Sequence, residues 1–175
     1  GKLLGMDKAM KGGLGTASVS VPWPGGPLVV GALVAVNALG DVREPSTGRI
    51  LAGPRLDGRI VDSVALLPQV FANGLTGFAG ENTTIGLVAT NARLNKAQAT
   101  KVAQMAQDGL ARAIYPAHTM RDGDTVFAVA TGDVDVPVDV VGALAAQVMA
   151  EAIVRAVVEA ESAGGLPAHR DMQAD

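Results

Sequence analysis

The chain predicts a layered α/β fold in which helices pack against sheets, and three observations carry this reading. Residues 28–36 (LVVGALVAV) form a continuous apolar run of strand length, as a buried central strand requires. Residues 84–91 and 125–131 are rich in Thr, Val and Ile and have the length of further strands. A helical repeat follows each of these, at 96–114 and 139–162, so the second half reads strand–helix–strand–helix. At 175 residues the chain suits one domain with a substantial core. Hydrophobic residues make up 49% but aromatics only 3%, so that core is built from Ala, Val, Leu and Ile.

Taken in order, residues 2–12 suggest a turn or short helix, and Gly12-Gly13-Leu14-Gly15 leads into an alternating strand at 16–21. Pro22 to Pro27 is a turn crowded with breakers. After the apolar strand come Asn37, a Gly40-Asp41 turn, a short strand at 49–51 and a turn at Gly53-Pro54. Residues 53–82 read as irregular, and a loop of that length in a compact domain is usually functional or disordered. Asn95 is a suitable N-cap for the helix at 96–114, which Tyr115-Pro116 ends. Residues 132–137 are expected to be a loop. In the last helix Val141, Leu144, Ala145, Val148, Ala152 and Ala156 share a stripe, Gly164-Gly165 stops it, and the tail is expected to fray.

Composition narrows the function classes. A net charge of −3 with no basic cluster gives no nucleic-acid surface. Without cysteine there is neither disulfide nor thiolate chemistry, and two histidines cannot make an all-nitrogen zinc site. No apolar run spans a bilayer and no signal peptide is visible, so the expected location is the cytoplasm and no membrane partner is expected. Nucleotide-binding glycine motifs are missing too.

Three stretches hold residues suited to hydroxyl-based hydrolysis. Thr83 follows Asn82 at a loop–strand boundary, and a cut between them would free an α-amino group with a reference pKa of about 7.7–8.0, able to serve as general base. Thr83 is equally well the first residue of a strand. Asp122 and Asp124 flank Gly123 at a strand entrance, where i and i+2 side chains share a face and two carboxylates split each other's pKa values. An Asp-Gly turn or a divalent-metal site uses the same pattern. Asn37, ending the apolar strand, is a turn former or an NH₂ donor for an oxyanion, and Lys2 on its own reads as a surface lysine.

Together LVVGALVAVNALGDV at 28–42, NTTIGLVATN at 82–91 and DGDTVFAVAT at 122–131 resemble the DmpA-like family. This family includes L-aminopeptidase/D-amino-acid esterases, β-peptidyl aminopeptidases and nylon-oligomer hydrolases. Thr after Asn, with Asp-Gly-Asp, is most similar to the nylon-oligomer hydrolase branch. The resemblance implies an αββα sandwich of the N-terminal-nucleophile type, made as a precursor that cuts itself. In that reading Thr83 is nucleophile and new N-terminus, Asp122 and Asp124 orient it, Asn37 contributes to the oxyanion hole, and Lys2 matches a site lysine. Residues 1–82 would end the α-chain, with 53–82 as processing loop, and 83–175 would form the β-chain. Family precursors carry a longer portion before the equivalent of Lys2, so residues 1–175 are expected to be a single, partial domain, incomplete at the N-terminus.

The expected activity is amide hydrolysis on a small peptide or ω-amino-acid amide, without cofactor or metal, by an oligomer of processed αβ units. Two alternatives stand beside it: an acyltransferase of the ornithine acetyltransferase type, and a non-catalytic fragment of the same fold.

Overall fold

The computed structural model describes residues 1–74 and 82–172. Its principal sheet has the strand order β1 (Leu14–Val21), β2 (Leu28–Ala35), β7 (Ile85–Ala92), β9 (Thr125–Val134). The first three strands pair antiparallel, and β7 and β9 pair parallel. A parallel pair needs a crossover, supplied here by α2 (Lys96–Ala113). Asn95 caps α2 in a complete capping box with Gln98, each backbone N–H meeting the other's side chain at 2.9 Å. The long α3 (Val138–Val158) then packs on β1, β2 and α2. The core lies between this helix layer and the sheet, filled by Val30, Val34 and Val88 from below and Val102, Leu110, Met149 and Ile153 from above. The fold class is the layered α/β one that the sequence predicts.

Four differences from the sequence reading have physical causes. The apolar run of β2 reads as a buried central strand. Among the described residues only its even-numbered side chains are covered, while Val29, Leu33, Ile85, Phe127 and Val129 leave the opposite face of the sheet open and apolar. Residues 53–82 were expected to be irregular. Instead β5 (Arg55–Leu56) and β6 (Arg59–Ile60) form a hairpin, and α1 spans Ser63–Ala72; residues 75–81 lie outside the described ones. Pro68 in the middle of α1 concealed it, since proline removes a helical N–H. The helix is secured at its start, where the Asp62 carboxylate accepts from Val64 and Ala65 N–H at 2.8 and 3.1 Å. Buried Asp41 adds a second anchor, accepting from Ser63 Oγ at 2.5 Å, Ser63 N–H at 2.9 Å and Arg43 at 2.9 Å. Asp41 and Arg43 belong to β3 (Asp41–Arg43), which lies between β4 (Ile50–Ala52) and β8 (Ile114–Tyr115) in a small second sheet.

The tail is the third difference. α3 ends at Val158, short of residue 162, and further on Gly164 and Gly165, with φ of 61° and 78°, turn the chain back to pair Ala163 with Leu166. Buried His169 then donates from Nδ1 to Leu51 O at 2.6 Å, so residues 163–172 are fastened down rather than frayed. Likewise β9 runs through the expected loop as far as Val134, where Arg93 N–H donates to Val134 O at 2.7 Å.

By length and composition α3 could cross a membrane, yet here it is the helix most deeply embedded in the core. Its contact with β1 is close enough that a Cβ on Gly15 would meet Ala152 O at 2.1 Å and Ala156 N at 2.5 Å. Gly15→Ala is therefore expected to cost about 1–3 kcal/mol through overpacking, read as a lower urea midpoint at unchanged slope.

Candidate active site

Two strand ladders bring the predicted residues to one place. In the antiparallel ladder Ala35 pairs with Ile85. Two residues further along each strand, Thr83 N–H donates to Asn37 O at 3.0 Å. In the parallel ladder Ile85 pairs with Thr125, and a bridge between Asn82 and Asp122 extends the same register. There Gly123 N–H donates to Asn82 O at 2.8 Å, and Thr125 N–H to Thr84 O at 3.0 Å. The Asn82–Thr83 peptide unit is thus held from both sides: its N–H by the end of β2, its carbonyl by the approach to β9. Strand alternation places the Thr83 and Asn37 side chains on the open face of the sheet.

Lys2 reaches the same spot. Its backbone N–H donates to Leu39 O at 2.9 Å, and its Nζ donates to Asn37 Oδ1 at 2.6 Å. With Oδ1 accepting from an ammonium, the Nδ2 end of the carboxamide is the one that presents donors elsewhere. Burial lowers the Lys2 pKa, and the Asp122 charge pulls in the opposite direction.

The carboxylates flank this point. Asp122 Oδ2 accepts from Thr119 N–H at 2.9 Å and from Thr119 Oγ1 at 2.7 Å. Asp124 Oδ1 accepts from Thr84 N–H at 2.8 Å, and its Oδ2 lies 3.4 Å from His118 Nδ1. Burial pushes the Asp124 carboxyl above the ordinary carboxylate value; the Thr84 N–H opposes this, the Asp122 charge adds to it, and His118 opposes it again. In this uncut chain the hydrogen bonds of both carboxylates go to these neighbours rather than to Thr83 Oγ1. Among the described residues no three His, Asp or Glu side chains gather as a metal site would require.

A cavity of about 870 Å³ opens beside Thr83. Lys2, Asn37 and Thr83 line it, and Met6, Met10, Leu14, Val36, Ile85 and Leu166 are among its apolar lining. Leu166 comes from the tail that the sequence reading left frayed.

Sequence reasoning missed several contributors. Thr119 and His118 sit in a connection whose packing depends on tertiary contacts, and His118 adopts a left-handed φ of 55°. Gly123 was read only as a turn former. A Cβ there would stand 2.8 Å from Thr83 Oγ1, so the hydroxyl occupies space that only glycine leaves open. The Asp-Gly-Asp spacing was the available signal, since the residue between two site carboxylates on an extended chain faces the neighbouring strand's side chain.

The family model of peptidase family S58 matches residues 5–170. An uncharacterized aminopeptidase of Mycobacterium leprae is 45% identical over 184 residues, covering 93% of this chain and 49% of its own length. A 6-aminohexanoate-oligomer endohydrolase of Paenarthrobacter ureafaciens is 34% identical over 88 residues, 43% of this chain and 25% of its own. The structure of an L-aminopeptidase D-Ala-esterase/amidase from Ochrobactrum anthropi, described as a new variant among the Ntn-hydrolase fold, superimposes with a TM-score of 0.61. It is 24% identical, with 91% of this chain and 43% of the other covered, and it shows the fold. The chain spans about half the length of the mycobacterial relatives it matches. A family match across nearly all of the chain, on the matching fold, makes this a member of peptidase family S58.

Proposed function

We propose that the whole protein is a self-processing amide hydrolase, cut between Asn82 and Thr83, with Thr83 as its N-terminal nucleophile. The observation that carries this reading is the clamped Asn82–Thr83 peptide, with Thr83, Lys2 and Asn37 lining the cavity and Asp122 and Asp124 bonded close by along the parallel ladder. A peptide bond that merely began a strand would need no such gathering of ionisable groups.

In this reading residues 1–82 and 83–175 become separate chains. The freed Thr83 amine remains close to Asn37 O and takes the proton of its own hydroxyl during attack on a substrate carbonyl. Asn37 Nδ2, oriented by Lys2, donates to the developing oxyanion. Asp124 and Asp122 provide the negative field that keeps the new ammonium within the site. The apolar cavity walls suit an unbranched or aliphatic chain beside the scissile amide. The names of the aminopeptidase and oligomer-hydrolase relatives support a short peptide or ω-amino-acid amide as substrate.

On denaturing gels the full-length protein is expected to resolve into two chains, one of them starting at Thr83 by N-terminal sequencing. Thr83→Ala should remain whole and lose amidase activity by at least about 10³-fold, as removal of a nucleophile does. A Thr83→Ala protein cut like the parent would sink the proposal.

The raised Asp124 pKa gives a pH signature. A group raised in this way favours the fold in its neutral form, a contribution that is full below the ordinary carboxylate pKa and lost as pH rises through the raised value. Activity that requires ionised Asp124 behaves oppositely and fails as pH falls through that value. His118 favours the ionised form, so His118→Ala should move the acid limb of kcat/KM to higher pH and leave the alkaline limb in place. An unmoved acid limb in His118→Ala would remove Asp124 from this role.

A further inference from the structure

We propose that the backbone N–H of Gly123 stabilises the negative charge on the Asn82 carbonyl oxygen during chain cleavage, which makes Gly123 a catalytic residue of that step. This rests on reading Asn82–Thr83 as the cleaved bond. Two separate contacts support it. The Gly123 N–H already donates to Asn82 O at 2.8 Å in the uncut chain. A Cβ at residue 123 would stand 2.8 Å from Thr83 Oγ1, closer than real Cβ contacts allow. One glycine therefore serves both reacting groups, holding the electrophile through its amide and leaving the nucleophile the space a side chain would fill.

The step balances without any other reactant than water. Thr83 Oγ bonds to the Asn82 carbonyl carbon, and the carbonyl π electrons move onto Asn82 O, which Gly123 N–H holds. Collapse breaks the C–N bond, and the Oγ proton ends on the Thr83 nitrogen, leaving an ester. Water then adds to the ester carbon, charge returns to the same oxygen, and collapse releases Thr83 Oγ–H and the Asn82 carboxylate. An amide donor aimed at this oxygen gains strength as the charge grows. It needs no movement, because the strand register has already set it in place.

The test uses the full-length precursor with glycolic acid in place of Gly123, introduced by cell-free translation. This ester linkage removes the N–H and adds no Cβ. Cleavage followed by gel is expected to slow by about 10²–10³-fold, the usual loss for one oxyanion donor. The same replacement in an uncut Thr83→Ala background should lower the unfolding midpoint, because the buried Asn82 carbonyl loses a partner, yet still unfold in one cooperative transition well beyond the assay conditions, which separates catalysis from folding. A second variant, Gly123→Ala, should slow cleavage by displacing Oγ1. In the smaller-nucleophile background, Thr83→Ser, the same change should slow it less. Parent-rate cleavage of the glycolate protein, with Thr83→Ala still whole, overturns the role of Gly123 and leaves the cleavage site standing. Cleavage of Thr83→Ala overturns both.

Discussion

The site depends on the fixed position of one peptide unit. Asn82–Thr83 lies where an antiparallel ladder and a parallel ladder share their middle strand, and its two polar ends are taken by different neighbours. Neither ladder alone would hold it: the β2 side takes the N–H, and the loop entering β9 takes the carbonyl. A buried peptide group must have both ends paired, and here that requirement also sets the plane in which a nucleophile would approach. The rest of the principal sheet preserves this register. Because strand side chains alternate, a slip of one residue would turn Thr83 from the cavity to the helix layer.

Electrostatics builds on that geometry. Lys2 and Asp122 exert opposite pulls across the site, and Asp124 is kept reluctant to ionise by burial while Thr84 N–H and His118 favour its charge. Asn37 follows β2 by two residues, and Asp122 and Asp124 directly precede β9; Lys2 lies well before β1 and is brought in by its backbone N–H on Leu39 O. Side chains carried just beyond the ends of rigid strands are placed by the sheet and still left accessible.

Much of this was legible in the residues. Apolar runs and helical stripes indicate the order of strands and helices, and the grouping of Asn37, Thr83, Asp122 and Asp124 is what the family resemblance of their three motifs implies. What escaped was information carried by tertiary contacts. Helix α1 contains Pro68 and depends on Asp62 and on the distant Asp41, which local propensity does not register. The tail is held by His169 on Leu51 O, more than a hundred residues away in sequence. The apolar run of β2 reads as a buried strand although only alternate side chains are covered, because such a run does not say what lies over each face. Gly123 was legible as a turn former, but its contact with Thr83 comes from the pairing of two strands.

The pairing of β2 with β7 also bears on how such a molecule would be assembled. These neighbours lie on opposite sides of the Asn82–Thr83 bond, so a cut there leaves their hydrogen bonds intact while placing them on different polypeptides. Folding before the cut is a unimolecular search, whereas reassembly afterwards requires two chains to meet and depends on their concentration. The uncut chain then acts as its own template, and the cut product is a heterodimer whose interface is the middle of a sheet. Such a product is easier to keep than to remake, and its persistence rests on a slow dissociation rate more than on an equilibrium the separated chains could readily restore.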